Sequence, residues 1–402
     1  GYGNQEVIAT ATEQMNKLTF NHMFGGKTHQ VAIDLADKLA DMIPMKDAVI
    51  SFGNSGSDAN DTHIKLLRYY HEAIGKPHCR KIIARERSYH GVTVAAASLT
   101  GLPVTQNHFD LPVDALGILR TDHPHYYRGK QGEETEVEFV DRIVGNLEAM
   151  ILREGPDTIA AFIAEPITGA SGVIVPPEGY YQKVQAVLNR YDIMFWADEV
   201  ITGFGRTGSD FGCNTMGIES PDMMTFAKQL SSAYMPISAS AINREMYTAM
   251  IEQTATAGAF GHGYTYSGHP VACAVALKVL EIYQRDEIFE KAAITGKYLQ
   301  KRLAEFSDHP LVGEVRGSGL LGAIELVADK KTGQPFVGGA VGGYAQKMAQ
   351  DSGLLIRAVA GSSLGFCPPL IITEPQIDEL IGKVSIALDK TLEHCHKHSL
   401  IV

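Results

Sequence analysis

A chain of 402 residues, 45% hydrophobic and 20% charged, has room for two or three domains and the balance of a packed globular protein, which excludes disorder. Its 35 basic and 46 acidic residues leave a net charge of −11, so no overall attraction to nucleic acid or to an anionic membrane is built in. Five scattered cysteines without C-x-x-C spacing, and no apolar run of membrane-spanning length, point to a reducing, cytoplasmic setting without a disulfide framework.

Taken in order, residues 4–19 carry Val7, Ile8, Ala11, Met15 and Leu18 at helical spacing, and a second amphipathic helix is predicted from Val31 to Met42. Between them lies an irregular stretch with Phe24, Gly25 and Gly26. Ala48 to Phe52 reads as a strand, followed by G-N-S-G-S-D-A-N-D and a long helix through Tyr70. A strand, a Gly/Ser turn and a helix start place free backbone N–H groups where an anion can sit, with Gly56 and Ser57 at the cup. A plain helix cap by Ser57 or Asp58 explains the same residues. Lys81 to Ala84 is a strand leading into R-S-Y-H-G-V, where Tyr89 is placed to lie on a heteroaromatic ring.

Residues 103–138 mix Pro, Gly, His and acidic residues and read as a long surface excursion, with the histidines of D-H-P-H-Y-Y solvated and no metal site. A helix is expected from Val137 to Arg153. Thr158 to Ala164 is an apolar strand ending in Glu165, with Gly169 and Ala170 beyond it, and Pro176 to Tyr191 is helical. Ile193 to Ala197 is a further apolar run that ends in Asp198 and Glu199 and then glycines. Met223 to Ala227 repeats the pattern and ends in Lys228. Strands alternating with helices over some two hundred residues predict a largely parallel sheet, whose ligands sit outside the carboxyl ends of the strands.

Farther on, residues 261–274 form a Gly-rich turn opening an apolar helix. From about residue 290 the composition shifts to a charged helix, a Gly-bounded strand V-R-G-S-G-L-L-G-A-I-E-L-V, and further short elements. Gly353 to Arg357 sends an arginine off an apolar strand into the mobile-looking A-V-A-G-S-S-L, and the tail with His394, Cys395, His396 and His398 reads as a frayed helix end. The expected organisation is an N-terminal segment (1–25), a large α/β domain (26–290) and a small α+β domain (291–402).

An acid and an amine emerging at one sheet edge suit pyridoxal phosphate, whose aldehyde needs a lysine to hold it as a Schiff base and whose ring nitrogen needs an acid to stay protonated. A partly desolvated lysine also loses its proton more readily. The strings A-D-E-V-I-T-G-F-G-R-T-G and A-K-Q-L-S-S-A-Y-M-P-I-S-A, with N-S-G-S-D-A, S-Y-H-G-V and H-G-Y-T-Y-S-G-H-P, resemble the class III pyridoxal-phosphate aminotransferases of fold type I, in particular their omega-transaminase or amine:pyruvate branch. The resemblance spans nearly the whole chain. It implies catalytic roles for Lys228 and Asp198, and cofactor contacts from Gly56, Ser57, Tyr89, His90, Glu165, Val200 and Thr265. Thr265 would reach the phosphate in the other subunit of a homodimer or dimer of dimers. It further implies substrate contacts from Phe24, Ala170 and the carboxylate-binding Arg357. Family members usually carry several dozen residues before the G-Y-G-N start.

The implied activity is a ping-pong transfer of an amino group from a small-molecule amine to a keto acid, pyruvate foremost. A 2-oxoglutarate-dependent or aminomutase reaction is the alternative, and a non-catalytic cofactor-binding protein a remoter one. Also remote is nicotinamide binding by G-F-G-R-T-G (203–208) with Asp222 downstream, because no helical pattern follows the glycines.

Overall fold

Short apolar runs bounded by Gly and polar residues become the strands of a seven-stranded sheet. These are β1 (Val49–Gly53), β2 (Lys81–Arg85), β3 (Ile118–Thr121), β4 (Ile159–Ala164), β5 (Met194–Asp198), β6 (Met223–Phe226) and β7 (Ser238–Ile242). The structure is a computed structural model that describes residues 1–401. The strand order is β1-β7-β6-β5-β4-β2-β3. The pairs β2·β3, β2·β4, β4·β5 and β5·β6 are parallel. β7 runs antiparallel to both β6 and β1. Two antiparallel pairings in succession cancel, so β1 points the same way as β6. Every strand but β7 therefore ends at one edge of the sheet.

Helices cover the sheet because its strands are apolar on both faces. All six residues of β4 are buried, the pattern of a central parallel strand. The helix Gly56–Ala73 packs Ile64, Leu66, Leu67 and Tyr70 into a core with Ile82, Ala161, Ile163, Trp196 and Met223.

The chain divides into two compact units. The first holds residues 1–166, 176–204 and 211–286; the second holds 167–175, 205–210 and 287–402. The opening helix Gln5–Lys17 belongs to the first unit, where Glu6 pairs with Arg285 and Asn4 N–H donates to Tyr234 Oη at 2.8 Å. The second unit has a five-stranded antiparallel sheet: β8 (Val312–Ser318), β9 (Leu321–Asp329), β10 (Gln334–Pro335), β11 (Arg357–Val359) and β12 (Ser363–Phe366).

Five local expectations change. Residues 103–138 are not only surface excursion, because Ile118–Thr121 forms edge strand β3. The histidines that follow are not solvated: His125 is buried, and burial pushes the His123 imidazole down to about 4. The single Gly-bounded strand is a hairpin, β8–β9, turning through Gly319 at φ +57°, a conformation glycine adopts without cost. Arg357 opens a strand instead of ending one, and the segment after it is the β11–β12 hairpin with Ala360 and Gly361 at positive φ. The C-terminal helix does not fray early. It runs Glu374–Lys397, with His394 stacked on Tyr344 at 4.0 Å between ring centroids.

Candidate active site

The shared direction of β1, β2, β4, β5 and β6 gathers their C-terminal residues at one edge. There a cavity of about 400 Å³ is lined by Asn54, Ser55, Gly56, Ser57, Tyr89, His90, Glu165, Asp198, Val200 and Lys228, with Ile201 and Met235 beside them. Asp198 is the last residue of β5 and pairs in register with Thr225 of β6; Lys228 follows two residues after β6 ends. The first unit has a larger groove, about 490 Å³, lined mostly by apolar side chains such as Met23, Val49, Phe52, Tyr69, Met250 and Phe260. Size favours that groove; the convergence of an acid, an amine and a helix start favours the smaller cavity.

Asp198 is buried and held on three sides. His90 Nδ1 lies 2.8 Å from Oδ2, Asn60 Nδ2 donates to Oδ2 at 3.0 Å, and Val200 N–H donates to Oδ1 at 3.1 Å. Burial by itself raises a carboxyl pKa. Here the bonds from His90, Asn60 and Val200 outweigh it and hold Asp198 below the ordinary carboxylate value. Asn60 also donates to the His90 carbonyl at 2.6 Å, tying the acid to the Tyr89–His90 turn. His63 closes the back of the site against Trp196, its ring centroid 5.0 Å away. Burial pushes the His63 imidazole down to about 4, so it is neutral there.

The helix start at the cavity is built by one cap. Ser55 is the N-cap of helix Gly56–Ala73 and forms a capping box with Asp58: Ser55 Oγ accepts from Asp58 N–H at 3.2 Å, while Ser55 N–H donates to the Asp58 carboxylate at 3.1 Å. The cap is therefore Ser55, neither Ser57 nor Asp58. Gly56 and Ser57 become the first two helical residues, whose amides have no intrahelical acceptor. A Cβ on Gly56 would lie 2.9 Å from Val200 Cγ2, so only glycine leaves the cup open beside Val200. Gly91, at φ +127°, lets its backbone pass Ser57, where a Cβ would lie 2.5 Å from Ser57 Oγ.

Lys228 sits in a strained turn. Its φ is +40°, and Ser232 and Ala233 follow at +49° and +62°. Such non-glycine conformations cost about 1–3 kcal/mol each and persist only where surrounding contacts impose them. Those contacts are Ala233 N–H to Lys228 O at 3.2 Å, Ser231 Oγ to Met235 O at 2.7 Å and Tyr283 Oη to Gln229 O at 3.0 Å. The lysine stands at the mouth of the cavity, two residues past the end of β6.

Glu165 is buried at the tip of β4, and its Oε1 accepts from Tyr89 N–H at 2.9 Å. Behind it, the fully buried Arg85 donates to the Glu165 carbonyl at 2.6 Å and to Tyr181 Oη at 2.9 Å. Tyr89 is half-buried along the cavity wall.

Eight predicted residues thus share one cavity: Gly56, Ser57, Tyr89, His90, Glu165, Asp198, Val200 and Lys228. Phe24 instead lines the apolar groove, and Thr265 is an exposed turn residue outside the lining of either space. Ala170 and Arg357 belong to the second unit, where Arg357 is exposed and pairs with Gly365. Asn60, His63 and Thr225 are absent from the sequence reading. Their signal is faint: Asn60 and His63, three apart, interrupt the apolar stripe of their helix.

The donor set fits pyridoxal phosphate. A carboxylate held ionised can accept a ring N–H, two leading helix amides suit a phosphate, and a lysine stands at the mouth. The dinucleotide reading finds no support, since residues 200–211 are turns before a five-residue helix and Asp222 is spent on Phe195 N–H at 2.8 Å and Asn243.

A family model for class III aminotransferases matches residues 1–388. Gamma aminobutyrate transaminase 3, chloroplastic, of Solanum lycopersicum is 48% identical over 392 residues, 97% of this chain and 75% of the relative. The diaminobutyrate–2-oxoglutarate transaminase of Halomonas elongata is 42% identical over 398 residues, 98% and 84% of the two chains. Among solved structures, the omega transaminase from Pseudomonas jessenii in complex with PMP superposes with a TM-score of 0.95 at 48% identity, covering 98% of this chain and 86% of that one. The chain belongs to the class III aminotransferases, a family of pyridoxal-phosphate-dependent transaminases.

Proposed function

We propose that the Asp198–Lys228 cavity holds pyridoxal phosphate and that the chain moves an amino group from an amine or omega-amino compound to a keto acid, pyruvate foremost, in two half-reactions. The observation that carries this reading is the emergence of Asp198 and Lys228 from neighbouring parallel strands into one cavity that a helix start also enters. When bound, the cofactor supplies an aldehyde that takes up amines and a cationic ring that accepts an electron pair. Gly56 and Ser57 amides would hold its phosphate, Tyr89 and Val200 would bound its ring, and Asp198 would accept the ring N–H. Lys228 would hold the cofactor's aldehyde through Nζ and would carry a proton at the substrate carbon. Asp198 keeps the ring charge where electrons collect, the electrostatic part of the rate.

Arg357 is assigned the acceptor carboxylate, which a guanidinium forks with two parallel hydrogen bonds, and Phe24 and Ala170 the substrate boundary. Thr265, exposed in the single chain, is assigned to the phosphate of a second subunit in a homodimer. Four of the five cysteines are buried and all are free, which supports a reducing, cytoplasmic setting. No helix among the described residues is long and apolar enough to cross a membrane.

The resemblance to a diaminobutyrate–2-oxoglutarate transaminase favours 2-oxoglutarate as the second acceptor to test. One amine donor assayed against pyruvate and 2-oxoglutarate separates the two. Amino transfer to pyruvate, with an absorbance change on adding donor alone, supports the reading; no transfer to any keto acid sinks it.

A further inference from the structure

Behind Asp198 lies a row of buried polar side chains that the reaction, as described, does not use. Trp196, two residues before Asp198 on β5, is fully buried, and its indole Nε1–H donates to Thr225 Oγ1 at 2.8 Å. Thr225, also fully buried, donates to Asn60 Oδ1 at 2.8 Å. Asn60 then donates to Asp198 Oδ2 at 3.0 Å and to the His90 carbonyl at 2.6 Å.

This row has one sense only. An indole N–H donates and never accepts, so the Thr225 oxygen accepts from it and turns its single hydrogen to Asn60 Oδ1. With its oxygen taken, the Asn60 amide has its NH₂ facing the two acceptors, Asp198 Oδ2 and His90 O. The reversed amide would set oxygen against both.

We propose that Trp196, Thr225 and Asn60 form a directional hydrogen-bond relay that positions Asp198, committing Oδ2 to the protein and presenting Oδ1 to the cofactor ring nitrogen. The relay rests on the pyridoxal phosphate reading of the cavity. Asn60 and Thr225 are positioning residues, acting through the acid. Because Asn60 also grips the His90 carbonyl next to Tyr89, one amide sets both the ring-nitrogen acid and the segment against the ring face. His90 adds a second bond to Oδ2, so Oδ2 carries two bonds and Oδ1 only the Val200 N–H.

The test compares two holoenzyme variants at one position. Thr225→Val keeps the shape and removes the hydroxyl; Thr225→Ser keeps the hydroxyl. Removing the ordered donor leaves the Asp198 carboxylate less stabilised, so its protonation moves to higher pH. For T225V the acid limb of the single-turnover rate with a primary amine is expected to rise by about one pH unit, with roughly tenfold weaker binding of pyridoxal phosphate. T225S is expected to match the unaltered protein in both. Asn60→Asp sets an acceptor against the carboxylate and should shift the limb farther the same way. If T225V does not fold, Trp196→Phe removes the donor while keeping an aromatic ring and serves in the same comparison.

Equal acid limbs and equal cofactor affinity in T225V and T225S overturn the relay, even if both melt at lower temperature, since mere packing would lower melting without moving the limb. A wild-type protein that forms no Lys228-dependent visible band with pyridoxal phosphate overturns the cofactor reading itself. That failure is seen before any Thr225 variant is compared.

Discussion

Asp198 and Glu199 are adjacent, both buried, and both come at the end of the same apolar run, yet their surroundings drive them in opposite directions. Asp198 faces the cavity, meets an imidazole and an amide, and is held below the ordinary carboxylate value. Glu199 faces the other side of the strand end. It accepts from Thr202 Oγ1 at 2.5 Å, Gly212 N–H at 2.9 Å and Cys213 N–H at 2.7 Å, with no basic side chain among these partners. Burial there wins over its hydrogen bonds and raises its pKa. A two-residue alternation thus turns one carboxylate into a candidate reaction partner and the next into a loop clasp. Burial alone does not mark a functional acid; what it meets does.

The harshest way to break the reading is at the amine. Lys228→Ala should lower transamination by roughly 10⁴-fold or more, because the proposed mechanism makes this one group both nucleophile and proton carrier. Visible spectra with pyridoxal phosphate check it: the amine-sensitive band should vanish with the rate, and a variant that keeps the band denies Lys228 its role.

The two carboxylates are next. Asp198→Asn should reduce kcat by about 10²–10³-fold, the usual loss when charge stabilisation at the reacting centre is removed. Glu199→Gln should leave kcat within a few-fold but cost about 1–2 kcal/mol of stability, since its NH₂ would face a backbone donor. Steady-state rates and urea midpoints on the same preparations test both. Equal loss of kcat in the two variants would erase the contrast.

Acid sharpens the contrast further, measured on cofactor-free protein. Asp198, with a depressed folded value, stabilises above the unfolded carboxylate value, and that share is lost as pH falls through the folded value. Glu199, with a raised folded value, binds its proton first in the folded state, so its share grows as pH falls through that value. The stability gap between wild type and D198N should therefore shrink on acidification, while the gap between wild type and E199Q should widen in favour of wild type. Urea midpoints taken from about pH 8 down to about pH 2 read both signs, the Asp198 loss falling below the ordinary carboxylate value.

Much of this site was legible because an apolar run ending in a charged residue is hard to mistake. Met194–Asp198 and Met223–Phe226 appear where the runs fall, and Asp198 and Lys228 line one cavity. What stayed hidden depended on pairing in three dimensions. Strand β3 has four residues inside a Pro- and Gly-rich stretch, and only the neighbouring β2 makes it a strand. Asn60 and Thr225 look like ordinary helix and strand residues until the sheet brings Asp198 beside them. The reversal of β7 leaves no mark in its run S-A-S-A-I.

The smallest expected effect concerns the helix start. Sequence offered Ser57 or Asp58 as the cap, and the structure uses Ser55 with Asp58 returning its bond. If Ser55 only caps, Ser55→Ala should lower stability by about 1 kcal/mol and leave cofactor affinity alone. The geometry argues for more. Ser55 fixes the first turn whose Gly56 and Ser57 amides form the proposed anion seat, and Asn54 N–H also bonds Asp58, at 2.9 Å. Releasing the cap loosens both. S55A should therefore weaken pyridoxal phosphate about fivefold, near 1 kcal/mol, while pyridoxal without its phosphate should bind the variant and the wild type alike. Titrating the two compounds separately decides whether the helix start holds the phosphate or merely begins the helix.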